Sequence, residues 1–183
     1  MRRIAVSRMG AWSFFTGPVV ALGFFLLVPG GLLIDSAPSV DAVASISALA
    51  SNAAWSKSAL LLVTLGLCIA LYGLFALQAV IRDDGFGDAL ARYGVLFLMI
   101  TVIGWIFSQG ISIMLADTAY QSPQALQSMV PVYTAELGIS LICTFTAALG
   151  YLTLSVGLAT SGDYSRPACV VAALAAVVAL GAL

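Results

Sequence analysis

The sequence predicts an all-α fold: a polytopic bundle of about five transmembrane helices forming a single domain over residues 1–183. Three observations lead there. Hydrophobic residues make up 62% of the chain and charged residues 8%, too little polar surface to cover a water-soluble globule of 183 residues. The few charges are confined to short joints between long charge-free apolar runs. Those runs lack the strict apolar and polar alternation of a barrel strand, which leaves the helix as the element that satisfies its own backbone in lipid.

Crossing a hydrocarbon layer of about 30 Å takes about 20 mainly apolar residues. Four runs reach that length: 12–34, 58–81, 94–116 and about 136–160. A fifth, 168–183, would extend only ~24 Å as a helix and stops on Gly181-Ala182-Leu183 with no anchor, which predicts that the natural chain continues past Leu183.

Orientation follows from the basic residues. Arg2, Arg3 and Arg8 precede the first run, Arg82 and Arg92 bracket the joint between the second and third, and Arg166 lies between the fourth and fifth; Lys57 alone falls on the other side. The positive-inside bias then predicts a multi-pass membrane protein with a cytoplasmic N-terminus. A basic start and Ala42-Val43-Ala44 look like a signal peptide, but the first run exceeds the apolar stretch of a cleaved leader, so it is expected to be retained. Trp12, Tyr93 and Tyr164 fit as anchors at inner ends, and Trp55, Tyr120 and Tyr133 at outer ends. Trp105, halfway along the third run, packs against a helix or lipid, or else stacks on a ligand.

The joints carry their own signals. Asp88 is placed to cap a short lead-in over 89–93, with Arg92 as its i,i+4 partner and Gly85 and Gly87 supplying the turn before it. The run from Asp83 to Asp88 lacks the alternating carboxylates and terminal glutamate of a calcium loop. On the outside, two short interfacial helices are expected. One spans about 40–51, capped by Ser39, with Val40, Val43 and Ile46 or Ser47 on one face; the other opens at Ser122-Pro123 and runs to about Met129. Pro131 introduces the fourth span, while Pro18 and Pro29-Gly30-Gly31 predict a kink or an early unwinding of the first.

Small residues form stripes. Gly66, Ala70 and Gly73 share a face of the second span; Thr101, Gly104, Ser108 and Ser112 one of the third; Ser140, Cys143, Thr144, Ala147, Gly150 and Gly157 run along the fourth. Such stripes permit close backbone approach in lipid, so spans two, three and four are expected to form the compact centre. Leu65, Gly66, Gly73, Leu74 and Arg82 match Leu149, Gly150, Gly157, Leu158 and Arg166 at one constant offset, which a parallel two-helix repeat would produce and which chance also produces in apolar, glycine-rich sequence.

The chemistry is largely one of exclusion. The chain has no histidine, which removes imidazole ligation of haem or metals and a histidine base. Cys68, Cys143 and Cys169 stand singly in apolar runs and read as small buried packers. There is no phosphate loop and no basic run suited to nucleic acid. No cofactor, no metal and no catalysis are expected. The polar side chains at depth are Gln109, with Ser108 and Ser112 on neighbouring faces, and Gln78 near the inner end of the second span. Glu136 falls at the start of the fourth span, where it acts as a solvated acid near a helix N-terminus or, if tucked in beside Asp117, binds a cation or carries protons.

Arg8-x-Gly10, Ala70-Leu71-Tyr72 and Gly87-Asp88-Ala89-Leu90-Ala91-Arg92 resemble a bacterial family of uncharacterised small multi-helix membrane proteins, over about the first 160 residues. The resemblance implies about six helices and no known activity or site residues; the short fifth run is where this chain departs from it. The leading functional expectation is a non-catalytic accessory or scaffold subunit that packs beside other membrane subunits, or its own copies, in the bilayer. The alternative is a small transporter or channel for a small solute, cation or proton, using Gln109 and Glu136 with Asp117, Ser108 and Ser112.

Overall fold

A computed structural model describes residues 2–38, 41–81, 85–119, 122–161, 170, 171, 173, 174 and 176–178. Among them the chain is all-helical, in the order α1 (Arg2–Phe25), α2 (Ala42–Ser51), α3 (Ala53–Val80), α4 (Phe86–Ala119), α5 (Pro123–Ser128) and α6 (Val130–Ser161). The described residues from 170 to 178 are helical as well; the rest of the fifth run, with Arg82, Arg166, Ser39, Tyr120, Tyr164 and Cys169, lies outside the described residues. Among the described residues, three helices are long and apolar enough to cross a membrane: α3, α4 and α6 from Val130 to Thr160.

The first span departs from expectation. Its helix starts at Arg2, continues through Pro18, and ends at Phe25 rather than Ile34, so it is not among those three. The early unwinding is the predicted one. Gly30 adopts φ +84°, a conformation open to glycine, and Gly30 N–H donates to the Ile34 carbonyl at 2.9 Å, turning the chain back where a helix would have continued. Indole Nε1 of Trp55 donates to the Leu27 carbonyl at 3.0 Å and so closes part of the unwound backbone.

The other long helices extend beyond the expected apolar runs. The lead-in at Asp88 is continuous with the third span, and Arg92 Nη2 donates to the Ile81 carbonyl at 3.1 Å instead of pairing with Asp88. Helix α6 starts at Val130, with Pro131 in its first turn, where the missing N–H costs nothing. Both short helices exist. Ser122 caps α5 as expected, its Oγ accepting from Ala125 N–H at 3.1 Å. For α2 the cap is Asp41, whose Oδ1 accepts from Ala44 N–H at 3.0 Å, and the buried face is Ser45, Ile46, Leu49 and Ala50, with Val43 exposed.

The chain forms two compact units. In unit 1 (Met1–Phe14, Leu71–Ile103 and Leu141–Leu183), side chains added at Gly10 and Gly73 would fall on Ala76 and Phe14, which sets α1 against α3 at close range. On α4 and α6, Gly94 abuts Leu154, Gly150 abuts Leu98, and Gly157 abuts Ala91 and the Gly87 carbonyl. Thr101 lies between these helices, with its hydroxyl 2.8 Å from the Thr146 hydroxyl and 3.3 Å from the carbonyl of the buried Cys143.

In unit 2 (Phe15–Ala70 and Gly104–Ser140), Gly17 abuts the backbone of Ala70, and Gly66 that of Ala21. Lys57 Nζ pairs with Asp117 Oδ1 at 2.8 Å, tying α3 to α4. Ile46 and Ala50 of α2, Leu115 and Ala119 of α4 and Tyr133 of α6 form an apolar cluster, against which Leu126 of α5 packs.

The expected packing is thereby corrected. Gly66, Ala70 and Gly73 serve the α1–α3 contact, whereas spans two to four were expected to converge on their small faces. Tyr133 is buried in the cluster and Cys68 is exposed, so neither takes its expected role as outer anchor or buried packer. The repeat gains matched contacts. The glycines aligned by the sequence offset, Gly66 with Gly150 and Gly73 with Gly157, meet Ala21 with Leu98 and Phe14 with Ala91, residues that are themselves separated by a second constant offset. The same offset carries Gly10 to Gly87 and Gly17 to Gly94, and each half reads long helix, short helix, long helix.

Candidate functional site

The polar side chains singled out from the sequence gather mainly in unit 2, on α4 and α6. Helix α4 carries Ser108, Gln109 and Ser112, and α6 carries Glu136 six residues beyond its start, ~9 Å along the axis. Glu136 is therefore not the solvated acid of a helix N-terminus. It is half-buried, and its Oε1 accepts the hydrogen bond donated by the hydroxyl of Ser108, itself 2% exposed.

Helix register explains the meeting. Seven-residue steps along α4 pass through Gly87, Gly94, Thr101 and Ser108, and the same steps back along α6 pass through Gly157, Gly150, Cys143 and Glu136. The contacts of Gly157 with Gly87, Gly150 with Gly94, Thr101 with Cys143 and Ser108 with Glu136 follow that order. Steps of seven keep a helix pair facing one seam. The seam becomes more polar along α4, from glycine through threonine to the serine–carboxylate pair.

Gln109, the next residue, is 7% exposed, and its Oε1 is buried without a hydrogen-bond partner among the described residues. An acceptor left unmade at such a site costs about 1–3 kcal/mol, which normally signals a partner outside the protein or a functional demand. Ser112 is half-buried one turn on, and Trp105 and Gln78 are half-buried.

Asp117 does not join Glu136. It lies toward the end of α4, its side chain is 64% exposed, and it is held by Lys57, so the expected pair of carboxylates is corrected to one ion pair and one serine-bound carboxylate. Among the described residues no three of His, Cys, Asp and Glu are grouped to hold a metal ion. Gly66, Ala70, Gly73, Gly150 and Gly157 are seam residues, and Ala147 is buried on α6. The pairing of Ser108 with Glu136 was not legible in the sequence: seven-residue steps are present on both helices, but only the fold makes α4 and α6 neighbours in this register.

Comparison of this chain with protein-family models, with curated proteins and with solved structures gives no match, so the chain's own geometry carries the functional argument.

Proposed function

We propose that the protein is a non-catalytic, multi-pass protein of the bacterial cytoplasmic membrane, with its N-terminus in the cytoplasm, that conducts or carries a small cation or proton past Glu136. One observation carries the reading: Glu136 lies inside a candidate span, Val130–Thr160, and takes a hydrogen bond from a buried serine of a second span. Ionisable groups at membrane depth are costly to keep, and where they persist they mark ion paths and proton relays. Ser108 orients the carboxylate, and Gln109 supplies a second buried acceptor on the same helix.

The test is flux in vesicles. Purified protein in liposomes is expected to move protons, sodium or potassium above the rate of empty vesicles, with Glu136→Gln and Gln109→Leu abolishing the movement and Lys57→Met leaving it intact. Flux of none of the three ions overturns the reading.

A second reading, an accessory or scaffold subunit, is supported by Trp12, Phe15, Val19 and Leu22, which form an exposed stripe of large apolar side chains along α1. Small-residue faces no longer argue for it, because Gly66, Ala70, Gly73, Gly150 and Gly157 are taken up inside the chain. Purification in gentle detergent decides it: a stoichiometric membrane partner that is lost on Phe15→Glu supports the subunit role, and a chain that purifies alone counts against it.

A further inference from the structure

We infer that the ligand at this site is a proton, bound reversibly by the Glu136 carboxylate, with Ser108 as its positioning residue and Gln109 Oε1 as the acceptor that meets the proton-bearing group directly or through one water. The inference rests on the transport reading above and names its substrate. Uptake adds one proton from water to a carboxylate oxygen, converting an anion that only accepts hydrogen bonds into a neutral acid that also donates one. Release returns it, and no other bond is made or broken.

Three observations lead to a proton. The donor set is small: one carboxylate and one hydroxyl meet at the site, and the other acid of the α4 end, Asp117, is neutralised by Lys57 at 2.8 Å. A calcium ion takes about six to eight oxygen ligands and magnesium a full octahedron, whereas a proton requires a single carboxylate. Then there is the unpartnered Oε1 of Gln109, 93% buried by the 7% exposure of its residue, on the residue adjacent to Ser108. An ionised carboxylate has no hydrogen to offer such an acceptor; its protonated form, or a water bound to it, does.

The repeat supplies the third observation. The two offsets that align the halves place Gly31 opposite Ser108 and Asn52 opposite Glu136, at points where α1 has already unwound and α2 has just ended. Asn52 there accepts a hydrogen bond from Trp55 N–H at 3.2 Å, a local structural role. The first half thus has an amide, and no carboxylate, at the position aligned with Glu136. The other described charged and titratable groups of unit 2 are Lys57 and Asp117, paired with each other, Tyr133 in the apolar cluster, Asp41 at the cap of α2, the exposed Cys68, and the exposed Asp35, whose carboxylate lies 3.5 Å from the Ser51 hydroxyl.

The experiment combines infrared titration of the reconstituted protein with flux through the same vesicles. A protonated-carboxyl stretching band is expected to grow as pH falls, to vanish in Glu136→Gln, to return in Glu136→Asp, and to shift in frequency in Ser108→Ala and Gln109→Leu; proton flux should fall to the empty-vesicle rate in Glu136→Gln. Should Glu136→Gln fail to fold, the frequency shifts in Ser108→Ala and Gln109→Leu decide alone, and an unmoved band overturns the inference. A carboxyl band indifferent to Glu136 also overturns it. Sodium or potassium flux abolished by Glu136→Gln while proton flux is untouched overturns the proton and upholds transport. A band that titrates in vesicles that move no ion upholds the proton site and overturns transport.

Discussion

Two polar sites of unit 2 respond in opposite ways to the same physical question, whether a polar atom has its partner. Lys57 and Asp117 are paired at 2.8 Å but 38% and 64% exposed, so water competes for both. Exposed ion pairs of this kind contribute about 0–1 kcal/mol. Lys57→Met is therefore expected to leave the thermal unfolding midpoint in detergent nearly unchanged, and a large drop would show that the pair is shielded. Gln109 is the reverse case. Replacing a buried acceptor that lacks a donor removes a desolvation cost of about 1–3 kcal/mol. At a pH that keeps Glu136 ionised, Gln109→Met should raise the unfolding midpoint while flux is lost, the pattern of a residue retained for function against stability. A lowered midpoint at that pH would show that Oε1 has its donor without a proton on Glu136. Sequence alone picked out Gln109 and Glu136 because strong hydrogen-bonding groups are rare in apolar runs. It could not assign Ser108 to Glu136 or Lys57 to Asp117, since those pairings depend on which helices are neighbours.

At the scale of the element, the seams are built from glycines that have no room for a side chain. A methyl group at Gly66 would lie on the backbone of Ala21, and one at Gly157 on that of Ala91. Forcing these helices apart costs about 1–3 kcal/mol, so Gly66→Ala and Gly157→Ala should each lower the midpoint. Gly110 and Gly138 have nothing within 4 Å of an added Cβ, and alanine there should instead stabilise its helix by up to about 1 kcal/mol. Equal effects at all four positions would refute the seams. The stripes themselves were visible in the sequence as small residues at helical spacing. Their partners were not, because a small face fits any close neighbour; Gly66 and Gly73 turned out to face α1. The same limit applies to α2. Its existence followed from composition, but Asp41 took the cap two residues after Ser39, and tertiary contacts within the Ile46 cluster decided which face was buried.

For the molecule as a whole, the arginine-bearing joints should lie in one compartment. Single cysteines placed at Ser7 and Phe86 in a cysteine-free background are expected to be labelled only from the cytoplasmic side, and one at Ala37 only from the outside. Labelling of Phe86 and Ala37 from the same side would overturn the orientation. Glu136→Gln links this scale to the first, because a carboxylate within a helical span has no local structural task that glutamine could not perform; its helix content by circular dichroism should match the parent while proton movement is lost.

Composition and charge placement determined the helical class and three of the long apolar helices, and cap, proline and glycine signals in the sequence determined both short helices and the unwinding near Gly30. These depend on local forces: backbone satisfaction in lipid, caps, and the conformational limits of proline and glycine. Only the tertiary structure decided that the first helix stops at Phe25, that the two halves repeat their contacts, and that a serine of α4 meets the acid of α6. Those outcomes depend on register between helices distant in sequence, which apolar runs leave open because nearly every face of such a helix is equally willing to be buried.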